Sequence, residues 1–178
     1  VRLLMLGGDD TTAYTAQTPL VLSRYVDDKD ERQYKEVPSE VGGVTIVAER
    51  KAPSTTFVAL HEPFEGGKSN IYEFRTIKQT DDGVAVSVVG KYDTGIDDRL
   101  MIRLGDNHEK PVTLADERES FTFADRAYVR ISRDKVEVQG DMMALRIPVK
   151  GQPKLFINGK SQKASFMRGY LYYCVPAR

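Results

Sequence analysis

Two histidines, one cysteine, nine tyrosines and no tryptophan bound the chemistry open to this 178-residue chain. A zinc site draws three or four ligands from His, Cys and carboxylates at characteristic spacings. Neither His-x-His nor His-x-x-x-His occurs, and Cys174 lies far from both His61 and His108. His61 is followed by Glu62, which in composition is an acid–base pair. Adjacent strand residues point to opposite faces, however, so the two side chains diverge. His61 shares a face with Phe57 and Ala59 and is expected to be a half-buried packing histidine. His108, in Gly105-Asp-Asn-His-Glu109, reads as a loop residue with no evident partner.

Serine nucleophiles have no setting, because no Gly-x-Ser-x-Gly elbow is present. Gly66-Gly67-Lys68-Ser69 matches only the tail of a phosphate-binding loop; position 62, where the first glycine belongs, is Glu62, and no helix follows. Aspartate pairs recur at Asp9-Asp10, Asp27-Asp28, Asp81-Asp82 and Asp97-Asp98. Short acidic side chains bond nearby backbone N–H groups, so turn chemistry accounts for them. A weak calcium candidate is Asp93 with Asp97 and Asp98, which offer several oxygens from one loop, although EF-hand spacing is absent. Cys174 lies in Tyr170-Leu-Tyr-Tyr-Cys-Val175, which reads as a buried strand with a packed, inert thiol. Tyr170, Tyr172 and Tyr173 belong to that expected core.

Exposed aromatic rings stack sugar rings, and tyrosine serves where tryptophan is missing. Tyr14, Tyr25, Tyr34 and Tyr92 stand among polar residues. Tyr14, His61 and Tyr92 are the weak carbohydrate-binding candidates. No catalytic residue and no cofactor is expected.

The elements that would hold these groups are strands. Period-two alternation dominates, in short runs broken by turn residues. Thr56, Val58 and Leu60 alternate with Phe57, Ala59 and His61; Val84, Val86 and Val88 follow an Asp81-Asp82-Gly83 turn. Leu100, Ile102 and Leu104 alternate with Met101 and Arg103, and Ala127, Val129 and Ile131 precede a turn at Arg133-Asp134. Val136 and Val138 form one further run, and Leu145, Ile147 and Val149 another. Asn158-Gly159 between two runs predicts a type I′ hairpin, because both residues tolerate positive φ. Helical periodicity is absent. The polar stretch from Asp27 to Gly43, the one candidate for a helical turn, reads as a long solvated loop, with a loop that covers a neighbouring domain or a ligand groove as the alternative. The pattern predicts one all-β domain over residues 1–178, a two-layer antiparallel β-sandwich of roughly a dozen strands.

Composition fits a soluble core-forming chain: 40% hydrophobic, 29% charged, zero formal net charge, and mean hydropathy of −0.42. The charge balance gives no overall bias towards nucleic acid or anionic lipid. No run approaches the roughly 20 apolar residues of a membrane span. The opening Val1-Arg-Leu-Leu-Met-Leu6 already reads as a strand, without initiator or leader, so a mature fragment or excised C-terminal domain is expected.

Ser54-Thr-Thr-Phe-Val-Ala-Leu-His-Glu-Pro-Phe-Glu65, followed by Ile71-Tyr-Glu-Phe74, resembles the β-sandwich region of heparinase II/III-like polysaccharide lyases. The opening Val1-Arg-Leu-Leu-Met-Leu-Gly-Gly-Asp-Asp10, with Tyr14 and Thr18-Pro19, is similar to the segment that precedes it. The likeness covers roughly residues 1–90. It implies β-sandwich domains joined to an N-terminal α/α-toroid, and β-elimination of uronic-acid polysaccharides by a general base and a charge-neutralising residue. Those groups lie largely on the toroid. Neither His61 nor His108 matches the sandwich-domain histidine of some members, so no catalytic role is carried over.

The resulting expectation is a non-catalytic accessory domain that supports a toroid and its substrate cleft. It is secreted or periplasmic, with the toroid and a polysaccharide as partners. The alternatives are an independent carbohydrate-binding module and a structural or oligomerisation domain marked by a large apolar patch.

Overall fold

In a computed structural model the described residues are 2–7, 10–18, 21–26, 31–36, 43–52, 55–63, 66–105 and 110–175. They are all-β, with sixteen strands and no helix among them. In chain order the first eight are β1 (Arg2–Leu6), β2 (Thr11–Thr18), β3 (Val21–Val26), β4 (Glu31–Glu36), β5 (Gly43–Arg50), β6 (Val58–Glu62), β7 (Ile71–Thr80) and β8 (Gly83–Gly90). The remainder are β9 (Asp97–Arg103), β10 (Val112–Ala115), β11 (Ser120–Ile131), β12 (Lys135–Pro148), β13 (Lys154–Ile157), β14 (Lys160–Gln162), β15 (Ser165–Met167) and β16 (Tyr170–Cys174). The chain divides into two compact units, Gly7–Phe57 and Val1–Leu6 with Val58–Arg178.

The smaller unit holds two antiparallel pairs. β2 pairs with β5 from Thr11↔Arg50 to Thr18↔Gly43. Arg50 ties this pair to the chain that follows: its Nε donates to Thr11 Oγ1 at 2.9 Å, and its guanidinium lies 5.0 Å from the Phe57 ring centre. β3 pairs with β4, so the stretch from Asp27 to Gly43 contains a strand where a continuous loop was expected. Glu31-Arg-Gln-Tyr-Lys-Glu36 alternates polar residues with polar residues, so hydrophobic periodicity carries no signal there. Backbone pairing needs none.

The larger unit is built around one long hairpin. β11 and β12 pair along most of their length, with register shifts between Thr122 and Ala127. Beyond that bulge each strand changes neighbours. The first half of β11 pairs with β10 and the second with β9. The first half of β12 pairs with β13 and the second with β16. Strands β7 to β16 form one hydrogen-bonded sheet that branches at this hairpin, and its two arms face each other where β8 meets β10. One is β7-β8-β9-β11-β12-β13-β14, and the other is β10-β11-β12-β16-β15. Gly140 marks the bend. Its φ is +99°, and a Cβ there would lie 2.3 Å from Arg126 O. Asn158 completes the bulge: its Oδ1 accepts from Gly140 N at 2.9 Å, and its Nδ2 donates to Gly140 O at 3.1 Å.

One core fills the space between the layers. Phe121, Phe123, Leu114, Met101, Val129, Ile147 and Leu171 have no exposed surface and belong to one cluster. A Cβ on Gly83 of β8 would meet Leu114 and Val112 of β10 at 3.3 Å, which shows how closely the layers face. The antiparallel expectation holds except at β12–β13, which is parallel. After β12 crosses to the second layer, residues 139–153 form the long return that a parallel neighbour requires.

The last strand departs from the buried reading. Only Leu171 of β16 is fully buried, and Tyr173 packs on the core beside it. Tyr170 and Tyr172 turn outward with ring centres 6.3 Å apart, and Cys174 is exposed. β16 has one inward face, and the thiol falls on the other.

Candidate functional site

The residues that sequence singled out are scattered. Tyr14 lies on β2 in the smaller unit and is 48% exposed. Tyr92, at the turn after β8, is fully exposed. His61 on β6 is exposed instead of half-buried. In the β1–β6 pair, Leu3 and Met5 stand opposite His61 and Ala59 on the face that meets solvent, while Glu62 faces inward at 5% exposure. His61 and Glu62 thus diverge as alternation requires. His108, Asp9, Asp27 and Asp28 lie outside the described residues, as do the side chains of Tyr25 and Tyr34.

Asp93, Asp97 and Asp98 do not converge. Asp93 sits exposed in the turn before β9. Asp97 and Asp98 point to opposite faces of β9, and each is taken by an arginine. Asp97 Oδ1 is 2.5 Å from Arg99 Nη1. Asp98 holds Arg130 in a bidentate pair at 2.9 Å for both contacts. Among the described residues, no group of three or more His, Cys, Asp or Glu is placed to hold a metal ion.

Charged side chains do gather at one end of the sandwich, and there they satisfy one another. On the inward face of the first layer, Arg75, Ser87 and Arg99 stand in one row across β7, β8 and β9. Glu119, from the turn before β11, enters from the other layer with 1% exposure. Its carboxylate accepts Arg99 Nε at 2.8 Å and Nη2 at 2.6 Å. Arg75 adds a contact to Glu119 at 3.7 Å and donates to Asp116 Oδ2 at 3.0 Å. Asp116 Oδ1 accepts the backbone N–H groups of Arg118 and Glu119 at 2.8 and 2.7 Å. Burial raises the Asp116 carboxyl, but these bonds and the Arg75 charge outweigh it, so its pKa falls below the ordinary value. Ser87 Oγ, buried within the row, has no hydrogen-bond partner. The cluster is a polar clamp between layers, with its charges paired rather than presented to a reactant.

A groove of about 310 Å³ opens between β1 and β7. Arg2, Leu4 and Leu6 line one wall, and Ile71, Tyr72 and Glu73 the other. The Tyr72 ring is 79% exposed. Glu62 holds the chain that leads into β7: its carboxylate accepts Ser69 Oγ at 2.7 Å, Ile71 N at 3.0 Å and the Asn70 backbone N–H. Ser69 Oγ in turn accepts Arg2 Nη1 at 2.7 Å. Burial pushes the Glu62 carboxyl up, but the three hydrogen bonds and the Arg2 charge together hold it below the usual glutamate value.

No family model, no curated protein and no solved structure matches this chain.

The outward face of the first layer is more apolar than its position demands. Val84, Val86 and Val88 of β8 are buried yet lie outside the core cluster, which takes Ala85 from the same strand. Directly opposite them in register, Leu100 faces Val86 and Ile102 faces Val84. Leu100, Ile102 and Leu104 are 37%, 52% and 38% exposed. Beside them on β11, Tyr128 is hydrogen-bonded to Asp98, and burial with that carboxylate pushes its pKa up to about 12.

Sequence reasoning missed Arg2, Tyr72, Glu119 and Tyr128. Arg99 and Glu119 have a recognisable trace, a charged residue at an inward strand position and an acid at a strand entrance. Arg2 and Tyr72 have none, since only the meeting of β1 with β7 makes them neighbours.

Proposed function

We propose that this chain is a non-catalytic accessory β-sandwich of the heparinase II/III-like polysaccharide lyase type, supporting a catalytic toroid and one wall of its cleft. The observation that carries the proposal is the second apolar face. On the outward side of β8 and β9, Leu100 and Ile102 remain 37% and 52% exposed over valines that are already buried within the chain, while Ser87 and Arg99 turn towards the core. Exposed Leu100, Ile102 and Leu104 give a covering domain an apolar contact, which supports this reading. The likeness of Ser54–Glu65 and Ile71–Phe74 to the lyase sandwich supplies the kind of partner, and the toroid, the polysaccharide and a secreted or periplasmic setting follow from it.

The test is a pair of aspartate substitutions, Leu100→Asp and Ile102→Asp, made in this chain and in the toroid-joined protein. At these half-exposed strand positions the chain alone loses about 1 kcal/mol, while the joined protein loses more thermal stability and its two domains melt separately. Equal effects in both contexts overturn the proposal. A second reading, an independent carbohydrate-binding module, draws on the exposed rings of Tyr72, Tyr92 and Tyr14. Loss of glycan binding in the corresponding alanine variants is its measure.

A further inference from the structure

We propose that Asn158 is a deamidation site which the fold keeps shut, and that its reaction uncouples the β13–β14 hairpin from the bend of β12. Asparagine is a labile residue, and most so before glycine, where no side chain shields the next backbone nitrogen. Gly159 N attacks Asn158 Cγ. An N–Cγ bond forms, the Cγ–Nδ2 bond breaks, and ammonia leaves with the proton that Gly159 N gives up. Water then opens the cyclic imide. Opening at Cγ gives aspartate, and opening at the main-chain carbonyl gives isoaspartate. The net change is one water consumed and one ammonia released.

Asn158 and Gly159 are exposed at the tip of the hairpin, so water reaches them. The geometry nonetheless opposes attack. Their φ values of 49° and 77° set a tight turn closed by the Ile157↔Lys160 pair. Cyclisation requires Cγ to swing over Gly159 N. The carboxamide is instead engaged on Gly140, accepting its N–H at 2.9 Å and donating to its carbonyl at 3.1 Å. The Asn158 backbone N–H is held as well, by Val138 O at 2.8 Å. Both side-chain bonds must break before the ring can close. Two net hydrogen bonds favour the closed state by roughly thirtyfold.

The same bonds serve Gly140. A bulge interrupts the ladder and leaves backbone groups without a strand partner. The carboxamide has both a donor and an acceptor, so it satisfies the Gly140 N–H and C=O together. Neither product can replace it. Aspartate has no donor for Gly140 O and sets a carboxylate against it. Isoaspartate adds a methylene to the main chain inside a two-residue turn. The loss falls where β12 passes from β13 to β16, so the hairpin comes away at its tip.

The experiment ages the whole chain at mildly alkaline pH, folded and in concentrated urea. Trypsin cuts after Lys154 and Lys160, which isolates Leu155–Lys160 for mass spectrometry. In urea this peptide acquires the deamidated mass, and chromatography resolves its aspartate and isoaspartate forms. The folded chain is expected to react about thirtyfold more slowly. Hydrogen–deuterium exchange of the Gly140 N–H is expected to be slowed by the same factor, since one opening exposes both. In Asn158→Asp the backbone N–H of residue 158 exchanges about tenfold faster, the effect of losing one hydrogen bond. Four results each overturn the proposal: no deamidation in urea, equal rates in the folded and unfolded chain, a slow folded reaction beside an unprotected Gly140 N–H, or unchanged exchange in Asn158→Asp. All four leave the accessory-domain proposal standing, because that is decided by Leu100 and Ile102.

Discussion

At the scale of single residues, the buried charges decide how this fold behaves. Arg99 and Glu119 are 5% and 1% exposed, so neither tolerates loss of the other. Glu119→Gln leaves a guanidinium short of its counter-charge and is expected to cost about 3–5 kcal/mol in denaturant unfolding; a loss under about 1 kcal/mol would show that the clamp contributes little. Tyr128 gives a spectroscopic handle. Burial, together with the hydrogen bond to the Asp98 carboxylate, keeps the phenol protonated, so in an ultraviolet titration one tyrosine ionises near pH 12, well above the ordinary 10.0. Asp98→Asn lowers it only part of the way, because the burial remains. In that window the folded state holds the proton and the unfolded state does not, so this contribution to stability fades as pH rises from 10 to about 12. These groups were poorly legible in sequence. Asp98 was visible as an acidic residue beside Asp97, but its partners Arg130 and Tyr128 come from another strand. Spacing along a chain does not report cross-strand neighbours.

At the scale of elements, sequence conveyed the existence of strands better than their faces or ends. The Asn158-Gly159 turn was legible because its chemistry is local, and both residues take positive φ as expected. Leu100 and Ile102 alternate with Met101 and Arg103, yet alternation alone cannot say which set faces the core; here Met101 does. Val136–Val138 and Leu145–Val149 read as separate runs because Gly140 interrupts the pattern, whereas β12 passes through it unbroken. That glycine sits where β12 changes neighbours from β13 to β16. Gly140→Ala combines a positive φ with backbone contact at 2.3 Å. It is expected to destabilise by about 3 kcal/mol or more in chemical denaturation. A variant that unfolds at the wild-type midpoint would place the bend's origin elsewhere, in the bulge of β11.

At the scale of the whole molecule, the fold class was legible because a strand-rich pattern with turns at short intervals has few packing solutions. Strand β4 of the β3–β4 hairpin was not, since Glu31–Glu36 lacks the apolar contrast on which periodicity depends. Acid stability integrates the account. Glu62 and Asp116 have folded-state pKa values below their ordinary 4.5 and 3.8. Their contribution is complete above those values and is lost as pH falls through the lowered ones, because there the unfolded chain binds more protons. The melting temperature therefore drops as pH falls below about 4.5, and Glu62→Gln with Asp116→Asn flattens that slope; an unchanged slope counts against both assignments. The proposed role is that of a sandwich which supports catalysis on another domain without performing it. It is tested most directly by incubating the purified chain with uronic-acid polysaccharides and following the ultraviolet absorbance of unsaturated products. The account predicts a trace indistinguishable from buffer; a steady rise that disappears in His61→Ala would contradict it.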